Sequence, residues 1–361
     1  MNFFLLLLVL FGAIQSINAN DKGASQVMEK EIHLVVAMPF DPGRSFDPHW
    51  YTPEYVDYIA NLLPKERYDV SGYFVSFQNI PQFIDEIHDL YSKGKNVCVF
   101  NVCDGGEWDG YPGISLLKQW EKHPIKNMVP MTGADAEFII NSDNKAEMNL
   151  CMRNAKLNSI PQALVLVDQM DDLDLATLLE KSELNQLWPL FCKLNVGAGA
   201  LGIGPNSVCW GVEELEAQVN KMHKSFPKSD LLLQPYLPGP EYTVLVVQDQ
   251  AYVASVRSFQ NPLNIMLDDY LFGLRPLAEE LQYAPVPAEI QEIAVKAVQA
   301  IPGKHHYTRV DMREDGKGNV YIIDINDRPG FGTHSSLKTI LEHYGMSESR
   351  LLQDILSTYN R

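Results

Sequence analysis

Near its C-terminal end the chain reads Arg309-Val-Asp311 and then, after a short run, Asp324-Ile-Asn326-Asp-Arg-Pro329-Gly330. Two carboxylates and an amide supply the oxygen donors that a hard cation such as Mg2+ accepts. Mg2+ leaves its other positions to water and phosphate oxygens. Tyr307 to Met312 and Val320 to Ile325 are β-rich runs flanking the turn cluster Glu314-Asp-Gly-Lys-Gly-Asn319, which predicts a hairpin. Side chains alternate faces along a strand, so Asp324 and Asn326 point the same way, and Asp311 on the partner strand can join them. A plain surface hairpin would keep its polar residues in the turn. Here they interrupt the apolar strand, and Pro-Gly ends it at once.

Two further segments suit a nucleotide. Cys192-Lys193-Leu-Asn-Val-Gly197-Ala-Gly199-Ala-Leu-Gly202 reads as a strand bearing a lysine, followed by a glycine-rich loop. Glycines let successive N–H groups converge on phosphate oxygens, and Lys193 at the strand end could hold an α- or β-phosphate. No Gly-Lys-Ser/Thr follows, which excludes a P-loop, and the glycines open no long helix, which excludes a dinucleotide fingerprint. Gln234-Pro235-Tyr236-Leu237, then Gly239-Pro-Glu241, is an extended hinge whose backbone can read an adenine edge, with Glu241 placed to accept from ribose hydroxyls. Taken alone, the segment is also what a plain strand connection looks like.

The elements that must position these residues alternate from Glu31 onward. Strands are expected at Ile32–Met38, Tyr68–Phe77 and Asn96–Val102, with helices at Tyr55–Leu63 and Gln82–Tyr91. That order implies βαβ units and a parallel sheet, whose ligands sit beyond the carboxyl ends of the strands. Two polar loops leave those ends, one with Asp41 and Arg44, the other with Asp104. A second unit begins near Met131, with a helix over 144–158 capped by Asp143 or Asn144 and strands near 163–167, 189–194 and 231–234. A third holds the hairpin of Glu241–Val247 with Ala251–Val256, a long loop from Phe259 to Gln282, a helix at Ala288–Ala300, the oxygen-bearing hairpin and a terminal helix.

At 361 residues the chain has room for two or three cores. A net charge of −17 argues against nucleic-acid binding, so an anionic ligand needs a few placed cations and a metal. Phe3 to Ile14 is a short apolar run before Ile17-Asn-Ala19, the pattern of a cleaved secretory signal over residues 1–19, and no later segment is apolar enough to span a bilayer. The protein is therefore expected in the secretory pathway, periplasmic or secreted, or cytosolic if that segment is not used. Five cysteines, an odd number mostly inside apolar runs, read as buried thiols rather than a disulfide framework.

Taken in this order, the pieces resemble the ATP-grasp superfamily, specifically the D-alanine–D-alanine ligase family, from about Met131 to Leu341 and more loosely back to Glu31. The resemblance implies an ATP-grasp α/β fold. A Rossmann-like parallel domain (29–130) would precede two α+β subdomains (131–233 and 234–361) that clasp the nucleotide. It implies that Lys145 and Lys193 bind ATP phosphates, that Gly197, Gly199 and Gly202 belong to the loop closing over them, and that Gln234 to Leu237 and Glu241 seat adenine and ribose. Asp311, Asp324 and Asn326 become ligands for Mg2+, two ions in the family, with Mn2+ an alternative. Arg309, the Gly330 N–H and Ser335 serve the reacting centre, while Ser335 and Ser336 suit a substrate carboxylate. The implied activity is carboxylate–amine ligation of amino acids or small peptides through an acylphosphate, with a homodimer as the candidate assembly. The chain departs from the pattern at several places. Asp324 replaces a glutamate, Gln234 an acidic hinge residue, and Ala198 and Ala200 replace serines. Asp41 and Arg44 stand where a glutamate would fix an ammonium, and Tyr270 follows two aspartates where a lysine is expected. Asp41, Arg44, Asp104 and Tyr270 are thus the candidate contacts to substrates of unknown identity. The alternative is an exported protein that keeps the fold and binds a ligand without turnover.

Overall fold

The computed structural model describes residues 31–40, 52–106, 110–197, 199–258, 263, 265, 281–282, 286–332 and 335–359. The leader, Asp41, Arg44, Tyr270 and most of the long loop expected over 259–282 lie outside the described residues.

Strands β1 (Ile32–Pro39), β2 (Tyr68–Val75) and β3 (Asn96–Asn101) form a parallel sheet in the order β2-β1-β3, linked through helices α1 (Pro53–Asn61) and α2 (Ile80–Ser92). This is the expected βαβ arrangement. The strand expected to reach Phe77 stops at Val75, because Asn79 Oδ1 accepts from the Ser76 N–H at 2.7 Å and turns the chain into α2. Central β1 is apolar almost throughout, as a strand covered on both faces must be. Leu34, Val36 and Met38 face one core with Ile59 of α1. Val35 and Ala37 face another with Phe83 and Ile87 of α2 and with Leu116 and Trp120 of α3 (Gly113–Lys122).

Helices α4 (Ala136–Asp143) and α5 (Lys145–Asn154) follow, joined at Asn144, whose side chain accepts from the Glu147 N–H. The helix expected to run to 158 ends at Asn154, with Lys156 at φ 61°, a left-handed conformation that no helix continues through. Strands β4 (Ala163–Val165), β5 (Leu190–Leu194), β6 (Val208–Cys209) and β7 (Leu231–Pro235) build an antiparallel sheet in the order β4-β7-β5-β6. Helices α6 (Leu175–Lys181) and α7 (Val212–Ser225) cover the face carrying Cys192, Leu231 and Leu233. Alternation turns Phe191, Lys193 and Gln234 to the opposite face.

The third sheet is antiparallel, in the order β10-β9-β8-β11-β12, from β8 (Glu241–Val247), β9 (Gln250–Arg257), β10 (Leu281–Gln282), β11 (Tyr307–Glu314) and β12 (Val320–Asn326). Both expected hairpins are present, β8 with β9 and β11 with β12. One face packs Val244, Val310, Met312, Ile322 and Ile325 on Ile290 and Val298 of α8 (Ala288–Ala300). On the other face Leu245 and Tyr307 join the core of the parallel sheet, together with Phe331 and helices α9 (Ser336–His343) and α10 (Glu348–Ser357). Beyond Tyr307 the same face of β11 turns polar with Arg309, Asp311 and Arg313. All five cysteines are free, four of them buried, as expected. Among the described residues no helix is long and apolar enough to cross a membrane.

Candidate active site

A cavity of about 310 Å³ opens between the uncovered faces of the two antiparallel sheets. Its polar floor is β8, β9, β11 and β12. Asp311 pairs with Asp324 and Arg309 with Asn326 across the β11–β12 ladder. The register then slips, so that Met312 faces Ile322 and Ile323 is the extra residue of a bulge. The bulge lets Ile322 and Ile325 both reach the apolar core while Ile323, Asp324 and Asn326 line the cavity. The alternation expected from sequence holds for Asp324 and Asn326, and the bulge is the feature it omits.

Asp311 is 4% exposed and fully engaged. Arg309 donates to it from Nε at 3.1 Å, and Arg257 Nη1 lies 3.3 Å away. Thr243 Oγ1 also donates to it. Burial opposes its charge, but the two guanidiniums outweigh burial, and the carboxyl titrates below the usual aspartate range. Glu241, also 4% exposed, is held by Arg313 at 3.2 Å and Arg257 at 3.4 Å. Burial dominates there and raises its pKa. Glu241 therefore lines the cavity as part of an ion-pair chain, which the sequence did not show. The reason is its register: it lies directly opposite both Arg257 and Arg313.

Another side of the cavity is built from two lysines. Lys145 is the first residue of α5, where the helix dipole disfavours a cation. Asp324 at 3.2 Å and the Gly197 carbonyl, which accepts from Nζ at 2.7 Å, hold it there. Lys193 extends from β5 toward the Ile323 carbonyl released by the bulge, 3.5 Å away. Burial, then the neighbouring Lys145, bring its pKa down to about 7.

The far wall is apolar, formed by Ile160, Phe191, Leu201, Ile203 and Ile265 with the hinge Pro235, Tyr236 and Leu237. Arg313 pins this hinge by donating from Nε to the Leu237 carbonyl at 2.6 Å, with its guanidinium over the Tyr236 ring. Gly239 then crosses the β11 turn so closely that a Cβ would meet Glu314 at 2.7 Å. Gly330 and Ser335 complete the lining; Ser335 caps α9 by accepting from the Leu337 N–H and donates to the Gly330 carbonyl.

The structure thus brings together Lys145, Lys193, Gly197, Gly199, Gln234 to Leu237, Glu241, Arg309, Asp311, Asp324, Asn326, Gly330 and Ser335. Gly202 does not join them. It sits at φ 75°, facing Phe226 and Met222, so it serves packing of the loop on α7. Asp104 is also apart, at the end of β3, where Arg328 holds it at 3.4 Å. Ser336 opens α9. Arg257 and Arg313 are the residues sequence reasoning missed. Arg313 had a signal in parity, since it alternates onto the same face of β11 as Arg309 and Asp311; Arg257, on β9, had none, because no position of that strand was singled out.

The family model for the D-alanine–D-alanine ligase C-terminus matches residues 152–357, more than half of the chain. The chain belongs to the D-alanine–D-alanine ligase family. A curated relative, D-alanine–D-alanine ligase of Ectopseudomonas mendocina, is 26% identical over 140 residues, 36% of this chain. That match spans 41% of the relative's length. Among solved structures, the Bacillus anthracis D-alanine–D-alanine ligase complexed with ATP superposes with a TM-score of 0.60 at 18% identity, covering 91% of this chain and 97% of that one. The VanG D-Ala:D-Ser ligase of Enterococcus faecalis gives 0.63 at 16% identity, covering 92% and 99%. These likenesses establish the ATP-grasp fold.

The donors of this family member fit a hard cation in kind. Among the described residues no three His, Cys, Asp or Glu side chains form a metal-binding group; the oxygen donors on this floor are the Asp311 and Asp324 carboxylates and the Asn326 amide. Asp324, with 29% of its side chain exposed, is more open than Asp311, with 5%. The Asn326 oxygen accepts from the Arg328 N–H at 3.0 Å, which fixes the amide.

Proposed function

We propose that this chain is an ATP- and Mg2+-dependent carboxylate–amine ligase that joins amino acids or small peptides through an acylphosphate. The observation that supports it most is the cavity between the two antiparallel sheets. There five cations (Lys145, Lys193, Arg257, Arg309, Arg313) meet three carboxylates (Glu241, Asp311, Asp324) beneath an apolar wall. That surplus of positive charge suits a polyphosphate in a chain whose overall charge repels one.

Mg2+, held by Asp311, Asp324 and Asn326, would neutralise charge on the phosphates. Lys145 and Lys193 would orient the phosphates, and the hinge at Gln234 to Leu237 would hold the base. Arg309 and the Gly330 N–H would stabilise the tetrahedral oxyanion formed when the amine attacks the acylphosphate carbonyl, which collapses to the amide as phosphate leaves. Ser335 and the first turn of α9 would take a substrate carboxylate. The substrate-side contacts Asp41, Arg44, Asp104 and Tyr270 remain part of this proposal, as do the boundaries near residues 130 and 233 and export through the signal-like residues 1–19. Sequencing the mature N-terminus tests export.

The test is phosphate release by the purified protein with ATP, Mg2+ and a panel of D- and L-amino acids. One acid or pair should stimulate it, and Asp324→Ala should lower the stimulated rate at least about 100-fold. ATP binding without stimulation by any amino acid would instead favour the binding-only alternative.

A further inference from the structure

Gln234 is 5% exposed and lies on the cavity face of β7, and its amide can present either a donor or an acceptor to a base, whereas the Tyr236 hydroxyl donates to the Leu263 carbonyl. The orientation of Gln234 is determined through Gln162. Gln162 donates from Nε2 to the Ala146 carbonyl at 3.2 Å. A backbone carbonyl only accepts, so the amino end of the Gln162 amide must face it. The oxygen end then faces Gln234, which donates to it from Nε2 at 3.3 Å. Holding one N–H of Gln234 against that oxygen fixes the amide end for end, so its own oxygen is the end left for the cavity. Ile160, two residues before Gln162, lines the same wall.

We propose that Gln162 is a positioning residue that sets the nucleobase preference of the cavity. It does so by locking Gln234 in the orientation that offers an acceptor. An acceptor suits the exocyclic 6-amino group of adenine and opposes the 6-oxo group of hypoxanthine or guanine. A free glutamine amide would rotate and accept either. The assignment rests on the ATP reading above and adds what enforces it.

ATP and ITP differ only at the six position and its coupled ring proton, so the ratio of their dissociation constants is the readout, taken by calorimetry with Mg2+ on the full chain. Wild type should prefer ATP by at least about tenfold. Gln162→Leu should bring the two within about threefold, through weaker ATP and tighter ITP binding. Adding Gln234→Glu to that variant supplies an acceptor that needs no orienting partner, and should restore the preference. A general loosening of the fold would weaken both nucleotides together and would not be rescued. A Gln162→Leu protein that keeps the wild-type ratio overturns the assignment alone. A wild type that binds neither nucleotide overturns the ATP reading, and the assignment with it.

Discussion

Lys193 is buried beside another lysine, and its pKa of about 7 means that half the molecules carry it uncharged at neutral pH. An incoming phosphate would restore the charge, because an anion favours the protonated form. Nucleotide binding should therefore take up a fraction of a proton at pH 8 and almost none at pH 6, where Lys193 is already charged. Calorimetry in buffers of different ionisation enthalpy measures this, and Lys193→Met should abolish the uptake at pH 8. At this scale the sequence was most readable where chemistry interrupts a pattern. Asp324 and Asn326 break an apolar strand, and Lys193 precedes a glycine loop. Arg257 and Arg313 break nothing, and their pairing with Glu241 depends on strand neighbours far apart in the chain. Gly202 was read as a phosphate contact because glycine-rich loops look alike in sequence; only the position of α7 shows which glycine faces inward.

The segment carrying Gly330 and Ser335 is held from outside by α10. Glu348, at the start of α10 and 4% exposed, accepts from the Gly332 N–H at 2.8 Å and from the Tyr58 hydroxyl of α1. Glu348→Ala strands both donors and should cost about 1–3 kcal/mol in urea unfolding. Burial raises the Glu348 pKa against the pull of Tyr58 and Gly332. The folded state therefore binds this proton more tightly than the unfolded chain does. The stability it supplies is complete below the ordinary glutamate pKa and is lost as pH rises through the raised value. Melting temperature should accordingly fall with rising pH in wild type relative to Glu348→Gln, starting just above pH 4.5. Elements of regular period were legible: the parallel strands, both hairpins and α8. Short α4 and α6 escaped notice, because eight and seven residues give too few turns for a periodic signal. The β12 bulge was invisible for a different reason, being a compromise between two faces that only exists once both are packed.

Across the molecule, the parallel sheet and the five-stranded sheet are not separate bodies. Phe331 is 1% exposed, with its ring 5.7 Å from Phe100 of β3 and 6.3 Å from Tyr307 of β11. Phe331→Ala should lower stability by about 3–5 kcal/mol. Urea unfolding followed by fluorescence and by circular dichroism should show one shifted transition in both, because the lost ring belongs to a core common to the two sheets. Nothing in the sequence announced that shared core, since it joins residues separated by more than two hundred positions.

That arrangement has a consequence for how the chain comes off the ribosome. Residues 32–101 emerge well before Leu351, Leu352 and Ile355, against which one side of their sheet packs. Until α10 follows, that greasy surface lacks its cover and is open to misassociation.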